Sequence, residues 1–219
     1  FAIEGDGPDG VFDRVGVQLD AAIGQEDLQS VPVAVDIAKL LAQAGFDGDP
    51  AALLGQPEAI EQLRRVVEGK ESGFQHSWLF TGPAGSGRST LARAFASALQ
   101  CEENGCGICS TCKLIAADAH PDVRMLVTDK VIISIEEVRQ LVQFAALGSS
   151  VGKYRIVIIE DADRMSERTS NVLLKALEEP QERTVWILCA PSAADMLPTI
   201  RSRTRNVVLR LPSTEEVAQ

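Results

Sequence analysis

Ser77-Trp78-Leu79-Phe80-Thr81-Gly82-Pro83-Ala84-Gly85-Ser86-Gly87-Arg88-Ser89 places an apolar five-residue run directly before a glycine-rich turn. The turn fits G-x-x-x-x-G-[K/R]-S, and Ser89 to Leu99 reads as a helix. Strand, glycine loop and helix in that order are the context that makes this spacing a phosphate-binding loop. The glycines let backbone N–H groups converge on phosphate oxygens, and the helix N-terminus adds a favourable dipole. The candidate phosphate-contacting residues are Gly82, Pro83, Ala84, Gly85, Ser86, Gly87, Arg88 and Ser89. The Ser89 hydroxyl is the candidate Mg²⁺ contact. Arg88 stands where lysine is usual, and its planar, larger head group is not equivalent to an ammonium in a tight loop. Two readings stay open: a site for ATP and Mg²⁺, and a loop kept as scaffold.

The surrounding pattern predicts a parallel α/β domain. Pro57 to Glu68 reads as a helix with Ile60, Leu63 and Val67 inward, ended by Gly69. Val123–Val127, Tyr154–Ile159, Thr184–Ala190 and Asn206–Leu211 read as further strands. Tyr154–Ile159 is apolar on both faces, as a strand covered on two sides must be. Ser134-Ile135-Glu136-Glu137 is a capping box that opens a helix carrying Val138, Leu141, Val142 and Ala145. A helix from about Ser166 to Glu179 stops at Pro180. Strands alternating with helices imply βαβ units.

Charge divides the chain. Of the net −10, residues 1–50 contribute −8, from ten acids and two bases. The remainder is close to neutral, which excludes a strongly basic nucleic-acid-binding module by composition. Residues 1–50 read as an acidic extension with one helix, Val33 to Ala44, between Gly/Asp-rich flanks. Residues 51–212 form the α/β domain. A second capping box, Ser213-Thr214-Glu215-Glu216, marks 213–219 as the start of a further, truncated segment. No apolar run approaches the roughly 20 residues that cross a bilayer.

Four of the five cysteines, Cys101, Cys106, Cys109 and Cys112, lie within twelve residues as C-x₄-C-x₂-C-x₂-C. Four thiolates this close suit a structural, tetrahedral Zn²⁺. Disulfides, an iron–sulfur cluster or loose thiols are the alternatives, and disulfides suit a cytosolic chain least. Cys189 falls in a predicted strand and reads as core. His76 and His120 have no partner at ligand spacing, and His120-Pro121-Asp122 reads as a turn. Glu160 and Asp161 follow a buried strand, where a phosphate-loop protein keeps metal-binding and water-orienting acids. Their order is Glu-Asp, the reverse of the usual pair, so a shortened base must reach over roughly 3 Å. Capping the next turn or pairing with Arg164 is the other reading.

The glycine loop, the cysteine knuckle, Ala119-His120-Pro121-Asp122, Ile158-Ile159-Glu160-Asp161-Ala162-Asp163, Asn171-Val172-Leu173-Leu174-Lys175-Ala176-Leu177-Glu178-Glu179-Pro180 and Arg201-Ser202-Arg203-Thr204 occur in that order. This series resembles the bacterial clamp-loader branch of the AAA+ ATPases over about residues 53–219. Within that branch, Arg88, Glu160-Asp161 and Pro191-Ser192 resemble the non-motor rather than the motor subunits. The resemblance implies a stator-like subunit of the DNA polymerase III holoenzyme with little ATPase activity of its own. It implies a hetero-oligomeric ring with gamma/tau-type and delta-type subunits, acting on a sliding clamp and primed DNA in the bacterial cytoplasm. It also implies that Arg203, in Ser202-Arg203-Thr204, serves as an arginine finger for a neighbouring ATP site. A helix-end arginine bonded to carbonyls is the plainer alternative. The rival functions are an ATP-hydrolysing motor of the same ring, using Arg88, Ser89, Glu160 and Asp161, and, more distantly, a nucleotide kinase.

Overall fold

The computed structural model describes residues 56–70 and 74–211. The acidic extension, its helix over 33–44 and the capping box at 213–216 lie outside the described residues. Five strands form one parallel sheet: β1 (Ser77–Thr81), β2 (Val123–Leu126), β3 (Arg155–Ile159), β4 (Thr184–Ala190) and β5 (Arg205–Val208). Their spatial order is β2-β3-β4-β1-β5. Every neighbouring pair is parallel, with Phe80 opposite Cys189 and Ile158 opposite Ile187. β1, β3 and β4 are buried along their whole length, because helices cover both faces of the sheet.

The helices are α1 (Pro57–Val67), α2 (Arg88–Gln100), α3 (Ser110–Ala116), α4 (Ile135–Ala146), α5 (Glu167–Glu178) and the single turn α6 (Pro198–Arg201). One face of the sheet packs Trp78, Phe80, Ile156, Ile158, Val185 and Ile187 against α1 and α2, with Leu63, Leu91 and Phe95 filling the layer. The other face packs Val157, Ile159, Trp186 and Leu188 against α4 and α5 through Val138, Leu141, Leu173 and Leu177. The expected capping box is present: the Ser134 hydroxyl accepts from the Glu137 N–H, and the Glu137 carboxylate accepts from the Ser134 N–H at 2.9 Å. In α1, Leu63 is buried while Ile60 and Val67 are only partly covered, and Ala59 and Val66 complete the inner face.

Element ends shift by a few residues from the sequence pattern, and two strand ends and one helix differ for a physical reason. Tyr154 is outside β3 because its N–H and C=O are taken by the Gln100 side chain at 3.0 and 2.6 Å. β5 ends at Val208, and by Arg210 the backbone N–H donates to the Gln56 side chain of the α1 N-cap at 3.0 Å. α3 was not expected from the pattern, because its N-cap is Cys109, whose sulfur accepts from the Cys112 N–H at 3.4 Å.

Candidate functional site

Because every strand runs the same way, the ends of β1, β3 and β4 bring the glycine loop, Glu160-Asp161 and Pro191-Ser192 to one edge of the sheet. The Gly82 N–H donates to the Pro191 carbonyl at 3.1 Å, which joins the start of the loop to the end of β4. Gly85 and Gly87 have φ of +81° and +82°, backbone open to glycine at little cost. Gly82 is needed for a different reason. A Cβ there would sit 2.6 Å from the Ser86 Oγ and 2.7 Å from the Leu209 carbonyl oxygen. The Ser86 hydroxyl is fully buried and has no hydrogen-bond partner among the described residues.

Arg88 is the first residue of α2. One guanidinium nitrogen donates to the Gly82 carbonyl, and another lies 3.3 Å from an Asp161 carboxylate oxygen. The other Asp161 oxygen is 3.0 Å from Arg164, whose guanidinium also donates to the carbonyls of Thr128 and Lys130 at 3.2 and 3.3 Å. Asp161 adopts φ +46°, a left-handed conformation that aspartate and asparagine tolerate better than most residues. Thus Asp161 makes the pairing with Arg164 that one reading of the sequence offered, and a second ion pair that neither reading contained. Asp163 is partly buried beside it. Burial, reinforced by the charge of Asp161, pushes its carboxyl above the ordinary range, with Arg88 opposing. The Ser192 hydroxyl caps the following turn by accepting from the Ala194 N–H at 3.1 Å. Cys189 is buried in β4 as expected, and burial pushes its thiol up to about 12.

In this arrangement the cation of the loop is turned to an acid of the chain rather than left open to phosphate. The cation at the lysine position is paired with the acid at the water-orienting position, and the Ser192 hydroxyl accepts a capping bond.

The four knuckle cysteines converge at the far end of α2. Cys101 is the C-cap of α2, Cys109 is the N-cap of α3, and Cys112 is buried in the first turn of α3. Asn104 and Gly105 carry positive φ and make the tight turn between the first two. All four sulfurs lie within 4.8 Å of one another. Cys101 Sγ is 3.8 Å from Cys106 Sγ and 3.7 Å from Cys109 Sγ. A tetrahedron of metal–sulfur bonds near 2.3 Å has edges of about 3.8 Å, so the donor set fits a four-coordinate metal ion. Disulfide bonds, at about 2.05 Å, are not formed. Backbone N–H groups of Cys109 and Cys112 point at the sulfurs of Cys106 and Cys109, each at 3.4 Å, an arrangement that stabilises thiolate. Burial opposes ionisation of Cys106, but N–H donors from Ile108 and Cys109 outweigh it and hold the thiol at about 7.

Arg203 follows α6. Its guanidinium donates to the Thr199 carbonyl at 2.8 Å and the Ser202 hydroxyl at 3.2 Å, and it forms an ion pair with Glu178 at the end of α5. The carbonyl bond of the plainer reading is therefore present. The side chain remains 34% exposed.

Asp122 entered the sequence pattern only within a turn and a motif, with no role of its own. It is fully buried and accepts hydrogen bonds from the N–H groups of Ser150, Val151 and Gly152 at 2.8, 2.7 and 2.6 Å. The Ser150 hydroxyl and Arg155 complete its shell at 2.7 and 3.3 Å. Its partners lie 28 to 33 positions away, so no local signal marked it.

A family model described as DNA polymerase III, delta subunit, matches residues 55–213. DNA polymerase III subunit delta' of Pseudomonas aeruginosa is 36% identical over 150 residues, covering 66% of this chain and 46% of that protein. DNA polymerase III subunit gamma/tau of Mycobacterium tuberculosis strain H37Rv is 33% identical over 166 residues, covering 74% of this chain and 28% of that protein. The chain thus spans less than half the length of these curated relatives. Among solved structures, a DNA polymerase III gamma-subunit-related protein of Thermotoga maritima superposes with a TM-score of 0.51 at 24% identity. That match covers 69% of this chain and 47% of the other, and supports the fold.

Proposed function

The chain belongs to the DNA polymerase III delta-subunit family, and on that premise we propose that it is a delta-prime-like, non-motor subunit of a bacterial clamp loader. In this reading it sits in a ring with gamma/tau-type and delta-type subunits and helps place a sliding clamp on primed DNA. The observation that carries it is the Arg88–Asp161 ion pair. In a motor, the cation of the loop faces phosphate and the second acid at the strand end faces the attacking water. Here the two face each other. Glu160 and Asp161 are then remnants of a catalytic pair, and the loop from Gly82 to Ser89 is chiefly scaffold.

Arg203 supplies the subunit's catalytic contribution, as a finger reaching the ATP of a neighbour. It is partly exposed, and its ion pair with Glu178 is one that a phosphate on a neighbouring subunit can replace. The four cysteines hold a structural Zn²⁺, which brings tetrahedral cross-linking and no open position for chemistry. Cys101, Cys106, Cys109 and Cys112 are its ligands. Residues 51–212 form the AAA+ unit, and the whole works in the cytoplasm. Among the described residues no helix is long and apolar enough to cross a membrane.

The rival is an ATP-hydrolysing motor of the same ring. Steady-state ATP turnover by the purified full-length subunit, alone and with primed DNA, separates the two. The expected result is turnover indistinguishable from a buffer blank. Turnover of about 1 s⁻¹, at the low end of ordinary enzyme rates, establishes the motor instead.

A further inference from the structure

We propose that Asp161 is a positioning residue, the resident counter-ion of Arg88, and that this pair weakens the glycine loop's hold on phosphate anions. The inference rests on the non-motor reading and goes beyond it, because it says which residue excludes the ligand and how the exclusion is relieved. Both oxygens of Asp161 are committed, one to Arg88 at 3.3 Å and one to Arg164 at 3.0 Å. The loop keeps the parts that favour an anion: the N-terminus of a 13-residue helix, glycines at Gly85 and Gly87, and a buried Ser86 hydroxyl without a partner. The guanidinium of Arg88 is 12% exposed and already engaged by a carbonyl and a carboxylate. An incoming phosphate therefore competes with Asp161 for it.

Competition of this kind makes a prediction opposite in sign to the usual one. Where the second acid at the strand end serves a bound nucleotide, its removal does not tighten binding. Here its removal frees Arg88 and strengthens binding. Asp161→Asn is the suitable variant, since asparagine accepts the same left-handed backbone and still offers Arg164 an acceptor. Affinity of the full-length subunit for ATP and for inorganic tripolyphosphate is measured by calorimetry, in EDTA and in Mg²⁺. Asp161→Asn tightens both ligands about fivefold, the upper end expected for a solvent-accessible ion pair. Asp161→Gly, at a φ that glycine favours, moves affinity the same way and guards against a folding artefact of the first variant. Asp195→Asn removes an equal charge nearby from a residue that is not a partner of Arg88, and gives a smaller rise.

Unchanged or weaker binding in both Asp161 variants overturns the inference, as does an equal rise in Asp195→Asn. These outcomes are read from binding alone. Failure of the non-motor reading is read from turnover, so the two are distinguishable.

Discussion

Asp122 shows how one residue can hold distant segments together. Its carboxylate satisfies three successive N–H groups in the loop before β3 and pairs with Arg155, itself 5% exposed. The Arg155 guanidinium also stacks on the Phe144 ring at 4.3 Å, which fixes α4 beside β3. Burial alone would raise the Asp122 carboxyl, but the N–H groups of Gly152, Val151 and Ser150 and the Ser150 hydroxyl outweigh it and hold it at about 2. A pKa lowered on folding contributes stability at pH values above the unfolded carboxyl's value. That contribution falls away as pH drops through the folded value. Unfolding by urea between pH 7 and pH 2 should show this contribution, of order 2 kcal/mol, disappearing between about pH 4 and pH 2. Asp122→Asn puts an N–H₂ group against backbone donors. At pH 7 it should cost about 3 kcal/mol, the scale of breaking a buried ion pair, and the deficit should narrow toward pH 2. A deficit independent of pH would mean that packing, not charge, carries the effect.

At the scale of elements, the knuckle joins two helices that the sheet does not join. α2 and α3 meet through Cys101, which ends one, and Cys109, which begins the other. A metal in the site therefore cross-links the C-terminal turn of α2 to α3, and its removal should loosen that corner while leaving the sheet intact. Metal analysis should find about one Zn²⁺ per chain, and a strong chelator should lower Tm by several degrees without abolishing cooperative unfolding. Cys112→Ser, at a buried ligand, should reproduce the chelator effect and make it non-additive. A folded, metal-free protein with unchanged Tm would remove zinc from the account. The same end of α2 is fixed to β3 by Gln100, whose amide pairs with both backbone groups of Tyr154. Gly152 permits that approach, since a Cβ there would lie 2.5 Å from the Gln100 Oε1.

For the whole molecule, the role proposed for Arg203 lies in a ring rather than in a pocket of this chain. If it is a finger, Arg203→Ala in a reconstituted loader should slow hydrolysis at the adjacent site on the order of 10³-fold, with ring assembly unchanged by sedimentation. Total turnover should then fall by the share that site contributes. Unchanged turnover would leave Arg203 as the partner of Glu178 and Thr199 alone. Glu178→Gln, which releases the guanidinium, should leave assembly and turnover intact.

What the sequence determined by itself was what short-range chemistry writes into a chain. Glycines at fixed offsets after an apolar strand specify a phosphate-type loop. Serine three residues before glutamate specifies a helix start at Ser134. Four cysteines within twelve residues specify a cluster, since each closes on the next through a short turn. Apolar runs long enough for strands but covered on both sides specify a parallel sheet. Only the tertiary structure decided what the charged residues do. Arg88 meets Asp161 across 73 positions, and Asp122 meets Arg155 and the loop before β3. Arg203 meets Glu178 only once α5 and α6 are packed. Charges act through space and carry no periodicity, so their partners follow from which strand ends the sheet order brings together. That is why the glycine loop was legible at once as a motif, and why its engagement with its own acid, Asp161, was not.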